Sequence, residues 1–464
     1  MQKFFQLAEQ NTTINREVVA GLTTFSTMAY IIIVSPSLLS QTGMDFQAVT
    51  IATCIAAAIG CLLSGLLANY PFAQAPGIGL SAFFVYGVVF QAGYSWQGAL
   101  AIVFLSGLIF IFLTATGARA AILEAIPAGV RHAIPAGIGL FIALIGLNNA
   151  GVVDVNQAPV IDIISANIGA GTDRLIGEVS NAPPQIWQFG DFSDPTVYLT
   201  LIGLLVMVVL SVWRVGGAIL IGIAAITILS FALGETGFPE QFVSGSLDIS
   251  ATFLQLDFGV FLGADGVSAA ALVNLLFITL AFTMVDLLDT VGTLYGTADK
   301  GGFLNREGKL PRINKALMAD AVATTAGSLL GTSTTTTYIE SGSGIAAGGK
   351  TGLTAVVVAA LFLLCIFLAP LVALIPVSAT SAALVMVGIL MLGSVSKIDF
   401  SELDVAVPAF MVIVLMPFTY SIANGIGAGI IAYVLIKAAK GQGRALHPVA
   451  VIIALLFVAR YIVL

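Results

Sequence analysis

Apolar residues run along this chain in long, barely interrupted blocks separated by short polar segments. Thirteen blocks reach or approach the roughly 20 residues that a bilayer-spanning helix needs: 18–39, 47–69, 96–118, 127–149, 196–214, 217–233, 268–297, 313–331, 350–372, 377–395, 404–421, 423–440 and 446–464. Two further stretches, 70–91 and 332–349, are apolar but built differently. In the first, Pro71 and Pro76 forbid helix at the start, so only Gly77 to about Phe90 can be helical. About 14 residues give about 21 Å, short of a core of roughly 30 Å. In the second, the threonine run 334–337 favours extended chain, and helix becomes compatible only near Glu340. Each stretch predicts an extended piece followed by a half-helix.

The two unusual stretches also resemble each other: Gly77-Ile-Gly79-Leu-Ser-Ala82 aligns with Gly342-Ser-Gly344-Ile-Ala-Ala347, and Thr27-Met28 with Thr283-Met284. The chain therefore reads as an all-α polytopic membrane protein of two seven-segment copies, 17–233 and 268–440, with about 14 transmembrane segments. An odd number of crossings per copy makes the repeats inverted. Interrupted helices at matching positions of two halves point to a transporter's binding site. The C-terminal apolar segment, 441–464, stands outside this scheme, either as an interfacial helix or as a fifteenth crossing.

Charge placement supports the count. With the N-terminus cytoplasmic, 15 of the 17 Lys and Arg residues fall on cytoplasmic loops, Arg174 is external, and Arg460 lies in the last apolar block. The composition, 58% hydrophobic and 9% charged, excludes a soluble fold and excludes disorder. The first seventeen residues lack the apolar core of a secretory signal. Cys54, Cys61 and Cys365 lie in apolar runs and form no Cys-x-x-Cys pair, so neither a disulfide framework nor a metal site is expected.

Four acids stand in membrane segments: Asp286, Asp289, Asp320 and Glu340. The other 20 are assigned to water. A charge at the bilayer centre costs about 2.5–3.5 kcal/mol on insertion scales, so each needs a reason. Asp320, near the end of its segment, reads equally well as a structural carboxylate. Asp286 and Asp289 share a helix face, and no Lys, Arg or His lies mid-segment to pair with them. Carboxylates buried without a cation tend to hold protons, so Asp286, Asp289 and Glu340 are the candidates for proton coupling. Carboxylates, open backbone around Gly79 and hydroxyls of Ser81, Ser341 and Ser343 suit a flat, neutral, hydrogen-bonding solute. Gly344 to Thr351 matches a P-loop literally, and Gly77-x-Gly79-x-x-Ala82 mimics a dinucleotide fingerprint. Neither has the soluble domain around it that its chemistry requires.

Five motifs carry a family resemblance: Glu17 to Tyr30, Ala75 to Ala82, Val285 to Thr293, Gly331 to Ser341 and Gly349 to Leu353. Together they resemble the azaguanine-type adenine/guanine/hypoxanthine permeases of the nucleobase–cation symporter superfamily, which includes the uracil permeases. The resemblance spans essentially the whole chain. It implies a core domain (about 17–118 and 268–372) and a gate domain (about 127–233 and 377–440). It also implies purine uptake by proton symport, with Asp289 and Glu340 contacting the base. Where that family usually carries Asn in the segment 3 motif, this chain has Ser81. The expected partners are a purine nucleobase and the lipid bilayer of the cell (inner) membrane, with no nucleic acid and no cofactor beyond the proton gradient; a homodimer is left open. The competing readings are a carrier of uracil, xanthine or an anion on the same fold, a membrane-embedded hydrolase using the paired aspartates, and a channel.

Overall fold

The computed structural model describes residues 2–117, 126–155, 187–236, 248–261 and 269–463. Arg119 and Arg174 lie outside them. The first half comprises α1 (Ile14–Met28), α2 (Ile31–Leu39), α3 (Phe46–Leu63), β1 (Gln74–Pro76), α4 (Ile78–Ala82), α5 (Trp96–Thr116), α6 (Ala128–Asn149), β2 (Val153–Val155), β3 (Trp187–Phe189), α7 (Pro195–Val212) and α8 (Ala218–Leu233). The second half comprises α9 (Ala269–Gly301), α10 (Ile313–Leu330), β4 (Thr335–Thr337), α11 (Ser341–Ala346), α12 (Gly352–Cys365), α13 (Val377–Leu392), α14 (Leu403–Phe418), α15 (Ile422–Ala439) and α16 (Pro448–Val463).

Nine helices among the described residues are long and apolar enough to cross a membrane, and four more are apolar but shorter. Large apolar side chains such as Phe112, Leu205, Ile228, Leu364 and Leu435 are exposed around the bundle. That is the surface a hydrocarbon solvent selects. The first predicted span runs on through Ile14–Thr42, but its α-helical register breaks between Met28 and Ile31, where the backbone stays right-handed and Ile32 and Ile33 donate to Ala29 O and Tyr30 O in tight i→i+3 bonds of 3.1 and 3.0 Å. Pro36, six positions on, deprives α2 of one further donor.

Packing repeats between the halves. On one side α1 lies on α12 and α9 on α5, while α3 contacts both α12 and α10 and α5 contacts α10. On the other side α6 packs on α14 and α15 just as α13 packs on α7 and α8, and α6 and α13 lie against each other. Exchanging the halves reproduces each set, so the chain has the expected 7+7 inverted-repeat architecture.

The repeats meet at β1 and β4, which pair antiparallel with Gln74 opposite Thr337, Ala75 opposite Thr336 and Pro76 opposite Thr335. Gly77 N–H donates to Thr334 O at 2.9 Å and Tyr338 N–H to Ala73 O at 3.0 Å, which prolongs the ladder at both ends. Both strands lead into the anticipated half-helices; α4 continues as a π-helix through Gln91, whereas α11 stops after six residues. The ladder's local two-fold relates Ala75 to Thr336, 261 positions apart, whereas the glycine motifs align at 265. The sequence match is thus displaced by about one helical turn.

One feature departs from the sequence reading. Glu17, assigned to water, is fully buried in the first turn of α1. Its carboxylate accepts Thr12 Oγ1–H at 2.8 Å, Lys350 N–H at 3.0 Å, Thr351 N–H at 3.2 Å and Thr354 Oγ1–H at 2.6 Å. It thereby satisfies the orphan amides that open α12. The tract resembling a P-loop is the turn that presents those amides. In addition, α16 runs antiparallel along α15: Phe457 packs on Gly427, and Arg460 Nη1 donates to Asn424 Oδ1 at 3.0 Å.

Replacing Glu17 with Ala strands two amides and two hydroxyls. We expect a loss of about 3 kcal/mol, read as a lowered Tm of the detergent-solubilised protein, with Glu17→Gln less affected.

Candidate functional site

The half-helices, the α1–α2 break and the middle of α9 converge on a polar centre inside an otherwise apolar bundle. Glu340 occupies the N-cap position of α11 and is half-buried. Its Oε1 accepts the hydroxyl of Tyr30 at 2.7 Å. Tyr30 sits at the tightened junction of α1 and α2, in right-handed helical backbone. Asp289, half-buried on α9, is an electrostatic neighbour of Glu340. Ser343, one turn into α11, donates to Glu340 O at 2.7 Å and lies 2.9 Å from Thr27 Oγ1. This group combines two carboxylates, a phenol and hydroxyls, and among the described residues no Lys, Arg or His forms an ion pair with it.

Behind this centre lies a second polar layer that solvent does not reach. Asp286, one turn before Asp289 on α9, is fully buried, as is Asp320 on α10. Asp320 accepts Thr290 Oγ1–H at 3.0 Å, Thr337 Oγ1–H at 3.4 Å and Gln74 Nε2–H at 3.5 Å. Asp286 Oδ2 lies 3.2 Å from Thr324 Oγ1. Of the threonines that favour extended chain at β4, Thr337 therefore also supplies a hydroxyl to Asp320, and Thr336 lies 2.8 Å from the Thr290 hydroxyl that serves it.

The other expected site residues fall around the centre rather than in it. Ser341 is buried, and its Oγ accepts Ala73 N–H at 2.9 Å. Ser81 is buried between Ser333 Oγ at 2.6 Å and Ser35 Oγ at 3.4 Å. Gly79 faces α6: a Cβ there would stand 2.5 Å from Ile138 Cγ2. A side chain at this position would push the half-helix off its neighbour, which explains glycine here better than open backbone does. Tyr30 was missed; its only sequence signal is that it is the sole tyrosine in the run 18–39.

Access differs between the two faces. At the face remote from the N-terminus, Tyr86 Oη donates to Gln41 Oε1 at 2.7 Å and accepts Asn149 Nδ2–H at 3.4 Å. Gln91 Nε2 donates to Thr419 O at 2.8 Å, and Trp187 stacks on Tyr420 with centroids 6.4 Å apart. These contacts tie the first half-helix to α6 and to the α14–α15 link. Toward the N-terminal face, Ser26, Gly292 and Ile339 are exposed beside the centre.

The profile of the Permease family matches residues 15–182 and 173–427. A Methanocaldococcus jannaschii protein named as a permease is 45% identical over 100% of this chain and 98% of its own. The guanine/hypoxanthine permease PbuO of Bacillus subtilis is 41% identical over 99% and 100%. The adenine permease AdeP of Escherichia coli is 37% identical over 100% and 96%. Among solved structures, the transmembrane domain of the cyanobacterial bicarbonate transporter BicA superposes with a TM-score of 0.62 at 18% identity, covering 89% of this chain and 97% of that one. The likeness to BicA is one of fold.

Because the Ser341 hydroxyl serves the crossing strand, Ser341→Ala leaves a buried amide unpaired. It should cost about 1–2 kcal/mol of stability, measured by thermal unfolding in detergent.

Proposed function

The chain belongs to the permease family and is a multi-span membrane transporter rather than an enzyme, and from that premise we propose that it carries purine nucleobases together with protons. The observation that carries this reading is the Asp289–Glu340–Tyr30 centre, where two half-buried carboxyl groups and a phenol meet beside a helix start with no cationic partner. A purine presents ring N–H donors and ring or carbonyl acceptors in one plane. Carboxylates accept from the former, and backbone amides or a phenol donate to the latter. Full-length relatives named as guanine/hypoxanthine and adenine permeases support the purine class.

An anion would require positive charge that this centre does not supply, which disfavours the exchanger alternative. Asp289 and Glu340 contact the base; Ser81, Ser341 and Gly79 shape the half-helices that hold it. The coupling proton is carried by a buried carboxyl group, with Asp286, Asp289 and Glu340 as candidates. The set containing the half-helices acts as the core and the set built on α6 and α13 as the gate, and their relative motion exposes the centre to each face in turn. The distribution of Lys and Arg supports an N-terminus on the cytoplasmic side, and uptake of nutrient bases suits the cell membrane.

Uptake of labelled adenine, guanine and hypoxanthine into bacteria lacking their own purine permeases tests the reading. Saturable, uncoupler-sensitive uptake of at least one base is expected, and no uptake of any base sinks it. Glu340→Gln should weaken transport about 10- to 150-fold, the worth of one charged hydrogen bond, at unchanged membrane abundance.

A further inference from the structure

The buried layer beneath the proposed purine site has an unbalanced count of donors and acceptors. Thr324 Oγ1 lies within bonding distance of two acceptors, Thr335 O at 2.9 Å and Asp286 Oδ2 at 3.2 Å, while itself accepting Thr335 N–H at 3.2 Å. Its single proton cannot serve both. Asp286 Oδ1 has no hydrogen-bond partner at all, and neither have Gln74 Oε1 and Thr335 Oγ1, although all three atoms are buried. Asp320 relies on Thr290, whose hydroxyl is also 2.8 Å from Thr336 Oγ1, and on two contacts of 3.4 and 3.5 Å. Asp286 and Asp320 are fully buried and face each other across α9 and α10: Asp286 lies 3.2 Å from Thr324, one turn on from Asp320, and Asp320 accepts from Thr290, one turn on from Asp286, at 3.0 Å. The titratable group facing both is Asp289 on α9; Glu340 and Tyr338 of the β4–α11 segment neighbour Asp289 in turn, and Cys61 of α3 bonds the backbone of Gln74, whose side chain donates to Asp320.

Two ionised carboxylates are costly to hold there, so the empty pair recaptures a proton readily. Burying one carboxylate without a cation costs several kcal/mol, and two neighbouring ones repel as well. A proton on the pair removes one charge and supplies the missing donor. We propose that Asp286 and Asp320 form a shared proton site, separate from the base-contacting carboxyls Asp289 and Glu340, and that this site holds the transported proton. This rests on the symport reading above.

Asp289 is the link to water: it is half-buried and lies three residues from Asp286 on the same helix face. A proton taken from water at one face forms an O–H bond at Asp286. That bond breaks after reorientation, and the proton returns to water at the other face. One proton moves per cycle, no other covalent bond changes, and the pair alternates between one proton and none. Asp320, absent from the expected coupling set, thereby becomes a full partner in it.

Purified full-length protein in proteoliposomes, with the membrane potential clamped, provides the test. For one proton per base, a gradient of one pH unit supports about tenfold accumulation of labelled base by the wild type. Asp286→Asn and Asp320→Asn should still equilibrate the base but accumulate it only about onefold, because the amide fixes the neutral form. Wild-type accumulation by either variant overturns the proposal, as does loss of all base exchange in a folded variant. If a variant does not fold, infrared difference spectra of the wild type decide. Base binding at neutral pH should show a protonated-carboxyl C=O band that shifts in heavy water, and its absence overturns the proposal. A wild type that accumulates nothing under the gradient overturns the symport reading itself, whereas accumulation preserved in the variants overturns only the shared site.

Discussion

Peptide groups that leave a helix at membrane depth have no water to bond, and each one left unpaired costs several kcal/mol. The short ladder between β1 and β4 is how this chain satisfies that requirement. Three residue pairs, prolonged by Gly77 to Thr334 and Tyr338 to Ala73, give both extended segments partners at once. Neither strand can do this alone, because each is the other's only neighbour in its sheet. The half-helices begin where the ladder ends, and the carboxyl groups sit where the half-helices begin. Architecture and chemistry therefore descend from one backbone accounting problem, solved jointly by the two repeats.

Much of this was legible in the sequence because it rests on local rules. Pro71 and Pro76 each remove a helix donor and disfavour helix in the residue before them, and the threonine run prefers extended chain by side-chain sterics. Both are properties of a few adjacent residues. The spans follow from length and apolarity for the same reason. Tyr30 and Glu17 were harder to read because their roles depend on partners more than 300 positions away. Glu17 stands at a segment boundary, where a carboxylate ordinarily faces water. Only the arrival of the Lys350 and Thr351 amides makes burial favourable.

Ser81 and Ser341 illustrate the complementary difficulty. Hydroxyls flanking a predicted site look available when read along the chain. Folded, each already has a protein partner, Ser333 for one and the Ala73 amide for the other. Polar residues beside a broken helix are divided between those that face a solute and those that repair the break. Sequence position does not distinguish them, because repair depends on which strand crosses behind.

The two half-helices, finally, are unequal. The first continues from Ile78 as α-helix and then π-helix through Gln91, whereas the second ends at Ala346. In a carrier made of two identical inverted repeats, the inward- and outward-facing forms would be related by exchanging the halves and would have the same energy. Every difference between the halves lifts that degeneracy. The longer first half-helix and its Tyr86–Gln41 and Gln91–Thr419 ties have no counterpart on a six-residue α11, so they weight one facing form over the other. The resting population of an unloaded carrier of this design is thus set by where its duplicated halves have drifted apart, as much as by anything at the centre they share.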